Sequence, residues 1–361
     1  MELLTKQILL ILFCVNCLLL IIMPARVSSS GVNERTVSVR FYNFLLFLLV
    51  GLLVYAAVLK PQTMADYGSY VRLFQGISQN ERMEPAFSLI VWSLNFVDGN
   101  NYYLLFFVFA LISIPLRVYL LNKFSPVFWG SIIVYLSNWY ILHDLIQIRA
   151  GVASALLIII VYFSYKRNLK FFLLFYFLSI CFHYSAILFG LIWFVSRKYN
   201  PKNFFLLLMF SYLIYFVKFS WVPLIQYIPF FSISSLLTQY AGREAYGNNP
   251  FNLIQLGRIA LAIFFFLNIR KERNRYPWYI FFLKVYVLGL CFLPLFSSLS
   301  GVALRTMELF VSCEPIVIPI GFLISLKNKL LTNLSIISYS IVLFYIFYNT
   351  PNYWNVDLNF F

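Results

Sequence analysis

Ionisable side chains are scarce in this sequence, and those within or beside its apolar runs are where chemistry has to be sought. At membrane depth such a group is costly unless it faces a cavity or a partner. Threaded as described below, the residues that gather toward one face, the outer one, are Asp66, Glu81, Glu84, His143, Asp144, Arg149, His183, Arg243, Arg258, Arg305 and Glu308, with Lys284 and Glu314 deeper. Arg149, Arg258 and Arg305 each stand where an inward span begins. A guanidinium pairs bidentately with phosphate oxygens, so the chemistry expected of them is capture of an anionic group. Plainer roles stand beside that one. Arg305 and Glu308, three apart on one helix, can pair with each other. Arg149 can anchor a helix end at the interface, His183 can tie a turn, and Asp66 and Glu84 can be solvated loop acids. The pairs Tyr102–Tyr103 and Trp139–Tyr140 read as interfacial belts.

The elements that must position these residues follow from composition. The chain of 361 residues is 62% hydrophobic and 11% charged, far from the balance of a soluble domain. Its apolar residues form long uninterrupted runs rather than the spaced faces of soluble helices. Period-2 alternation is absent, so internally hydrogen-bonded helices are the expected spanning elements. The expected class is an all-α polytopic integral membrane protein. No glycine-rich phosphate loop, soluble catalytic domain or nucleic-acid module is visible, and no nucleic-acid partner is expected. The five cysteines lie in apolar runs and read as small buried hydrophobes.

The net charge of +15 is read as orientation, because short cytoplasmic loops collect Lys and Arg. Arg26, Arg35 and Arg40 follow the first run, Leu3 to Met23, which puts the N-terminus outside. Phe41 to Leu59 returns outward to an external loop at 60–84. Pro85 to Val97 rises only about 20 Å, short of about 30 Å of hydrocarbon, and is expected to be re-entrant or interfacial. Leu104 to Leu121 runs inward to Arg117 and Lys123, Val127 to Leu142 outward, and Gly151 to Tyr165 inward to a basic turn.

Phe171 to Val195 is flanked by basic clusters at both ends. A single span would expel one of them and would invert the later cluster Arg270, Lys271, Arg273 and Arg275. A broken helical hairpin is therefore expected, with His183 at its midpoint. Phe204 to Ser220 then runs outward to an external loop at 221–250, Phe251 to Ile269 inward, Trp278 to Leu295 outward, Val302 to Ser325 inward and Leu330 to Tyr348 outward. The total is about ten spans. Of the 12 acids only Glu34 and Glu272 fall in the cytoplasmic loops of this scheme. The chain reads as one transmembrane domain, 1–361, packed through small residues such as Gly151 and Ala155.

The order of these features resembles the EpsG-like, O-antigen polymerase (Wzy) family. The resemblance rests on Asp66, Tyr67 and Tyr70 in the first external loop, then Glu84-Pro85-Ala86-Phe87, and Ile148-Arg149 opening a small-residue span. Phe182-His183-Tyr184-Ser185-Ala186 after a basic turn and the late Arg305 complete it. It implies a bacterial inner-membrane glycosyltransferase that joins oligosaccharide repeat units carried on undecaprenyl pyrophosphate, working at the periplasmic face amid membrane lipid, with a chain-length regulator as partner. Arg149, Arg305, Arg258 and Arg243 are then expected to hold the pyrophosphate. The acceptor hydroxyl needs a base or an orienting acceptor, for which His183 has a suitable intrinsic pKa and Glu84 or Asp66 can stand in. No metal-ligand cluster is visible, so neither metal nor cofactor is expected. An O-antigen ligase, which shares the donor chemistry, and a flippase or other polysaccharide transporter are the alternatives.

Overall fold

The computed structural model describes residues 2–23, 39–76, 83–221, 223, 249–269 and 276–354. Among them all regular structure is helical. Arg26, Arg35, Glu34, Glu81, Arg243, Glu272 and the basic cluster 270–275 lie outside the described residues, as does most of the loop 221–250. The helices are α1 (Glu2–Ile22), α2 (Val39–Val58), α3 (Tyr67–Phe74), α4 (Pro85–Asp98), α5 (Tyr103–Phe124) and α6 (Phe128–Val134). A π-helical stretch, Tyr135–Ile146, continues α6. Next come α7 (Ile148–Lys166), α8 (Leu169–Phe182), a 3₁₀ segment (Tyr184–Phe194) and α9 (Pro201–Phe216). The chain ends with α10 (Leu253–Asn268), α11 (Tyr279–Leu295), α12 (Ser300–Val311), α13 (Glu314–Leu326), α14 (Lys329–Asn349) and the short α15 (Pro351–Trp354).

Helices α1, α2, α5, α7 and α14 are each long and apolar enough to cross a membrane, and α12 with α13 forms a broken sixth candidate. The other apolar helices are shorter. This is a polytopic membrane protein. The outer faces of α1 and α2 expose Ile11, Leu18, Phe44 and Phe47, an apolar surface that suits lipid rather than water. By contrast, most of α7 is buried within the protein.

Two compact units divide the chain. The first comprises 1–155, 181–183 and 318–361, and the second 156–180 and 184–317. In the first, the fully buried π-helical stretch is the centre, with α5, α6 and α14 packed on it and α2 on α5. Asn333 donates to the Leu20 carbonyl at 3.1 Å, tying α14 to α1. In the second, α11 is the buried centre, packed against α9, α10 and α12.

The predicted hairpin is present. Arg167, just before α8, donates to the carbonyls of Trp193 and of Val195, the latter at 2.7 Å. The Tyr176 hydroxyl donates to the Ile187 carbonyl at 2.8 Å, and the Phe172 and Trp193 rings meet at a tilt, 4.9 Å between centroids. The chain entering at 167 and leaving at 195 is thus at one end of the hairpin, and the break falls at His183. Helix α4 is discrete and short, as its length requires.

Three expectations are corrected. The run Val302 to Ser325 is not one helix but breaks between Val311 and Glu314, because Pro315 cannot donate to the Val311 carbonyl and its ring clashes with it. Trp139 and Tyr140 are no interfacial belt. Both are fully buried, with the Tyr140 hydroxyl donating to the Leu53 carbonyl at 2.6 Å. Cys291 and Cys313 are buried, but Cys14 is exposed on α1.

Candidate functional site

Proline sets up the first site residue. It disfavours the helical region for the residue before it, and Glu84 is extended (φ −64°, ψ 147°) where Pro85 opens α4. Glu84 thereby occupies the N-cap position, yet its side chain caps nothing. Its carboxylate, 5% exposed, turns to two residues far along the chain. Arg149, the second residue of α7, donates from Nη1 to Oε2. His183 Nδ1 lies 3.3 Å from Oε1.

The surroundings hold these groups in place. The Arg149 guanidinium lies over the rings of Tyr70 and Phe87, 5.4 and 5.3 Å from their centroids, an arrangement in which ring quadrupoles support the cation. Tyr70 sits on α3, which packs its aromatic face toward Phe87 and Phe106. Next to His183, Phe182 meets Phe109 edge-on. Side-chain exposure is 26% for Arg149 and 14% for His183, so both keep an accessible edge.

Burial pushes the Glu84 carboxyl up, but the hydrogen bond from His183 and the charge of Arg149 outweigh it and hold the group below its ordinary value. Glu84 is therefore ionised near neutrality. An ionised partner at Nδ1 selects the tautomer with the proton on that nitrogen and leaves the basic lone pair on Nε2. One carboxylate thus orients a guanidinium, suited to an anion, and an imidazole, suited to accepting a proton.

The other expected residues lie elsewhere. Asp66 is exposed, with left-handed backbone (φ 64°) at the start of α3. Arg258 belongs to the second unit, where its Nε and Nη2 each donate to the Glu314 carboxylate at 2.9 Å. Arg305 is exposed on α12, also in the second unit, and Arg243 is outside the described residues. Among the described residues no group of three or more His, Cys, Asp or Glu is placed to hold a metal ion.

A second polar cluster in the first unit escaped sequence reasoning. Arg117, expected as the marker of a cytoplasmic helix end, is fully buried in α5. Its Nε is 4.0 Å from Asp144 Oδ2, and Asp144 also accepts from Ser113 and, at 2.6 Å, from Tyr135. The available signal was spacing: Ser113 and Arg117 are four apart on one helical face inside an apolar run. His143, beside this cluster, is buried against Trp139.

An all-helical, multi-pass chain whose buried carboxylate joins an arginine to a histidine at a helix break is a membrane protein with a built polar site. The chain belongs to the EpsG family, whose model matches residues 42–358, a range that contains Glu84, Arg149 and His183. It is similar to the amylovoran biosynthesis protein AmsC of Erwinia amylovora, 25% identical over 339 residues that cover 88% of each chain. No solved structure matches it.

Proposed function

We propose that this protein is a polysaccharide polymerase, a glycosyltransferase of the bacterial inner membrane that joins oligosaccharide repeat units carried on undecaprenyl pyrophosphate in exopolysaccharide or O-antigen synthesis. Family membership and a relative named for the biosynthesis of amylovoran support this class. The observation that carries it is Glu84 bridging Arg149 and His183. In this reading the acceptor sugar hydroxyl attacks the anomeric carbon of the donor unit. The bond from that carbon to the diphosphate oxygen breaks, and the hydroxyl proton passes to His183 Nε2. Arg149 holds the diphosphate and stabilises the charge it gains on leaving. Glu84 keeps the imidazole in its basic tautomer and stabilises the imidazolium that forms. The charge-based threading supports a site that faces the periplasm. Arg305 and Arg243 remain proposed further contacts for the anionic donor. Arg258 is left out of the donor site because Glu314 occupies its guanidinium. A protein that sets chain length belongs to the same proposal, and no step requires a metal.

Surface polysaccharide from a deletion strain tests the class. Single capped repeat units, with long polymer restored by the wild-type chain, are the expected result. Accumulated long lipid-linked chains would instead indicate a ligase, and the absence of any capped unit a transporter.

A further inference from the structure

The π-helical stretch ends at Ile146, Gln147 leaves helical geometry (φ −96°, ψ 65°), and α7 begins at Ile148. Arg149 therefore stands in the first turn of α7, two residues beyond the junction between two helical elements. The last carbonyls of a helix have no partner within it, and in an apolar interior they need one. A buried lysine supplies it on one side of Arg149, and a buried arginine binds a carbonyl in the first turn of α7 on the other. Lys60, 1% exposed just beyond α2, donates from Nζ to the Leu145 carbonyl at 2.6 Å and lies 3.9 Å from the centroid of the Phe106 ring. Arg117, from α5, donates from Nη2 to the Gly151 carbonyl at 3.1 Å and to Ser154.

Arg117 is itself held by Asp144, which Ser113 and Tyr135 fix in turn. Gly151 closes the arrangement. A Cβ there would lie 2.5 Å from the His143 carbonyl oxygen, so α7 starts flush against the π-helical stretch.

We propose that Lys60 and Arg117 are positioning residues that clamp the helix junction at 145–151 from both sides and thereby fix where Arg149 presents its guanidinium to the anionic group of the donor. The inference rests on the function proposed above for Arg149, but the clamp itself has a readout that needs no substrate. A fully buried lysine is rare unless it is paired. Here its partner is a backbone carbonyl four residues before the site arginine, and the matching contact from Arg117 falls two residues after it. Both cations act through the backbone.

Purified wild type, Lys60→Met and Lys60→Arg are compared in two ways. Amide hydrogen exchange should quicken about tenfold in Lys60→Met over residues 145–151, as expected for a local opening made easier, and Lys60→Arg should restore most of the protection. With a lipid-linked repeat unit as substrate, Lys60→Met should raise KM about tenfold with a smaller change in kcat, the pattern of lost binding. In an Arg149→Ala background the same change should cost less than about twofold, because two changes acting through one group are not additive.

Unchanged exchange over 145–151, or an equal loss in both backgrounds, overturns the clamp. If Lys60→Met does not accumulate in the membrane, Lys60→Gln, which keeps a donor for the Leu145 carbonyl, is read in the same two ways. Wild type that fails to extend lipid-linked units overturns the proposed function instead, and exchange still decides the clamp.

Discussion

Each unit of the protein holds an arginine paired with a buried glutamate, and the two pairs differ in what surrounds them. Arg258 and Glu314 meet through two parallel hydrogen bonds, with side chains 5% and 0% exposed, and the Tyr286 hydroxyl donates to the same carboxylate at 3.0 Å. Glu314 sits where α12 gives way to α13, so the pair pins a broken helix. Arg149 and Glu84 meet through a single nitrogen, the guanidinium is 26% exposed, and the third member is an imidazole. The same two functional groups are closed in one unit and open in the other. An ion pair inside a membrane protein is therefore no indicator of function by itself, whereas the accessible edge and the titratable third partner distinguish the Glu84 site.

The largest effect that sharpens this contrast is expected from His183→Gln. Folded protein should reach the membrane in normal amount while turnover on a lipid-linked repeat unit falls by about 10² to 10⁴, the range for losing a general base. Near-normal turnover per folded molecule would move the role of base to Glu84 or Asp66. Next, Arg149→Lys should lower kcat/KM at least about tenfold at normal protein level, since a point charge replaces a planar fork. The pair in the second unit should behave in the opposite way. Arg258→Ala alone should destabilise the fold by about 3–5 kcal/mol, while Arg258→Met with Glu314→Leu and Tyr286→Phe should leave both fold and turnover near wild type. Thermal melting and turnover on the same preparations separate the two pairs. Loss of turnover in the triple variant at full stability would contradict the division.

The smallest effect concerns pH. The Glu84 carboxyl titrates below its ordinary value of 4.5, so the stability from its two pairs is complete above that value and is lost as pH falls through the lower folded-state value. The gap in melting temperature between wild type and Glu84→Gln should accordingly be constant near neutrality and close only in acid. A gap that already closes near neutrality would contradict an ionised Glu84.

Much of this architecture was legible before any coordinates. Charge parity around Phe171 to Val195 demanded a hairpin, and Arg167 bound to the Val195 carbonyl is that demand met in atoms. The length of the segment after Pro85 announced a helix too short to cross. Glu84, Arg149 and His183 could be grouped on one face but not joined, because charge bias reports the side of the membrane and not the rotation of each helix about its axis. For the same reason Arg117 passed for a loop marker and Arg258 for an anion ligand. Their acidic partners, Asp144 and Glu314, come from distant segments, and only tertiary packing reveals them. Trp139 and Tyr140 were misplaced because aromatic composition alone does not separate a bilayer interface from a protein interior.

The π-helical stretch Tyr135–Ile146 bears on how relatives should be compared. A helix bonded from each residue to the fifth beyond carries one more residue per hydrogen-bonded turn than an α-helix, and that is the geometry an inserted residue leaves in a helical ancestor. A relative lacking the insertion would turn a different side chain to the place where Asp144 receives Ser113 and Tyr135. An alignment with a relative that lacks the extra residue would need its gap between Tyr135 and Ile146, since a gap placed just after Ile146 would pair the wrong residue with Asp144 while leaving Arg149 in register.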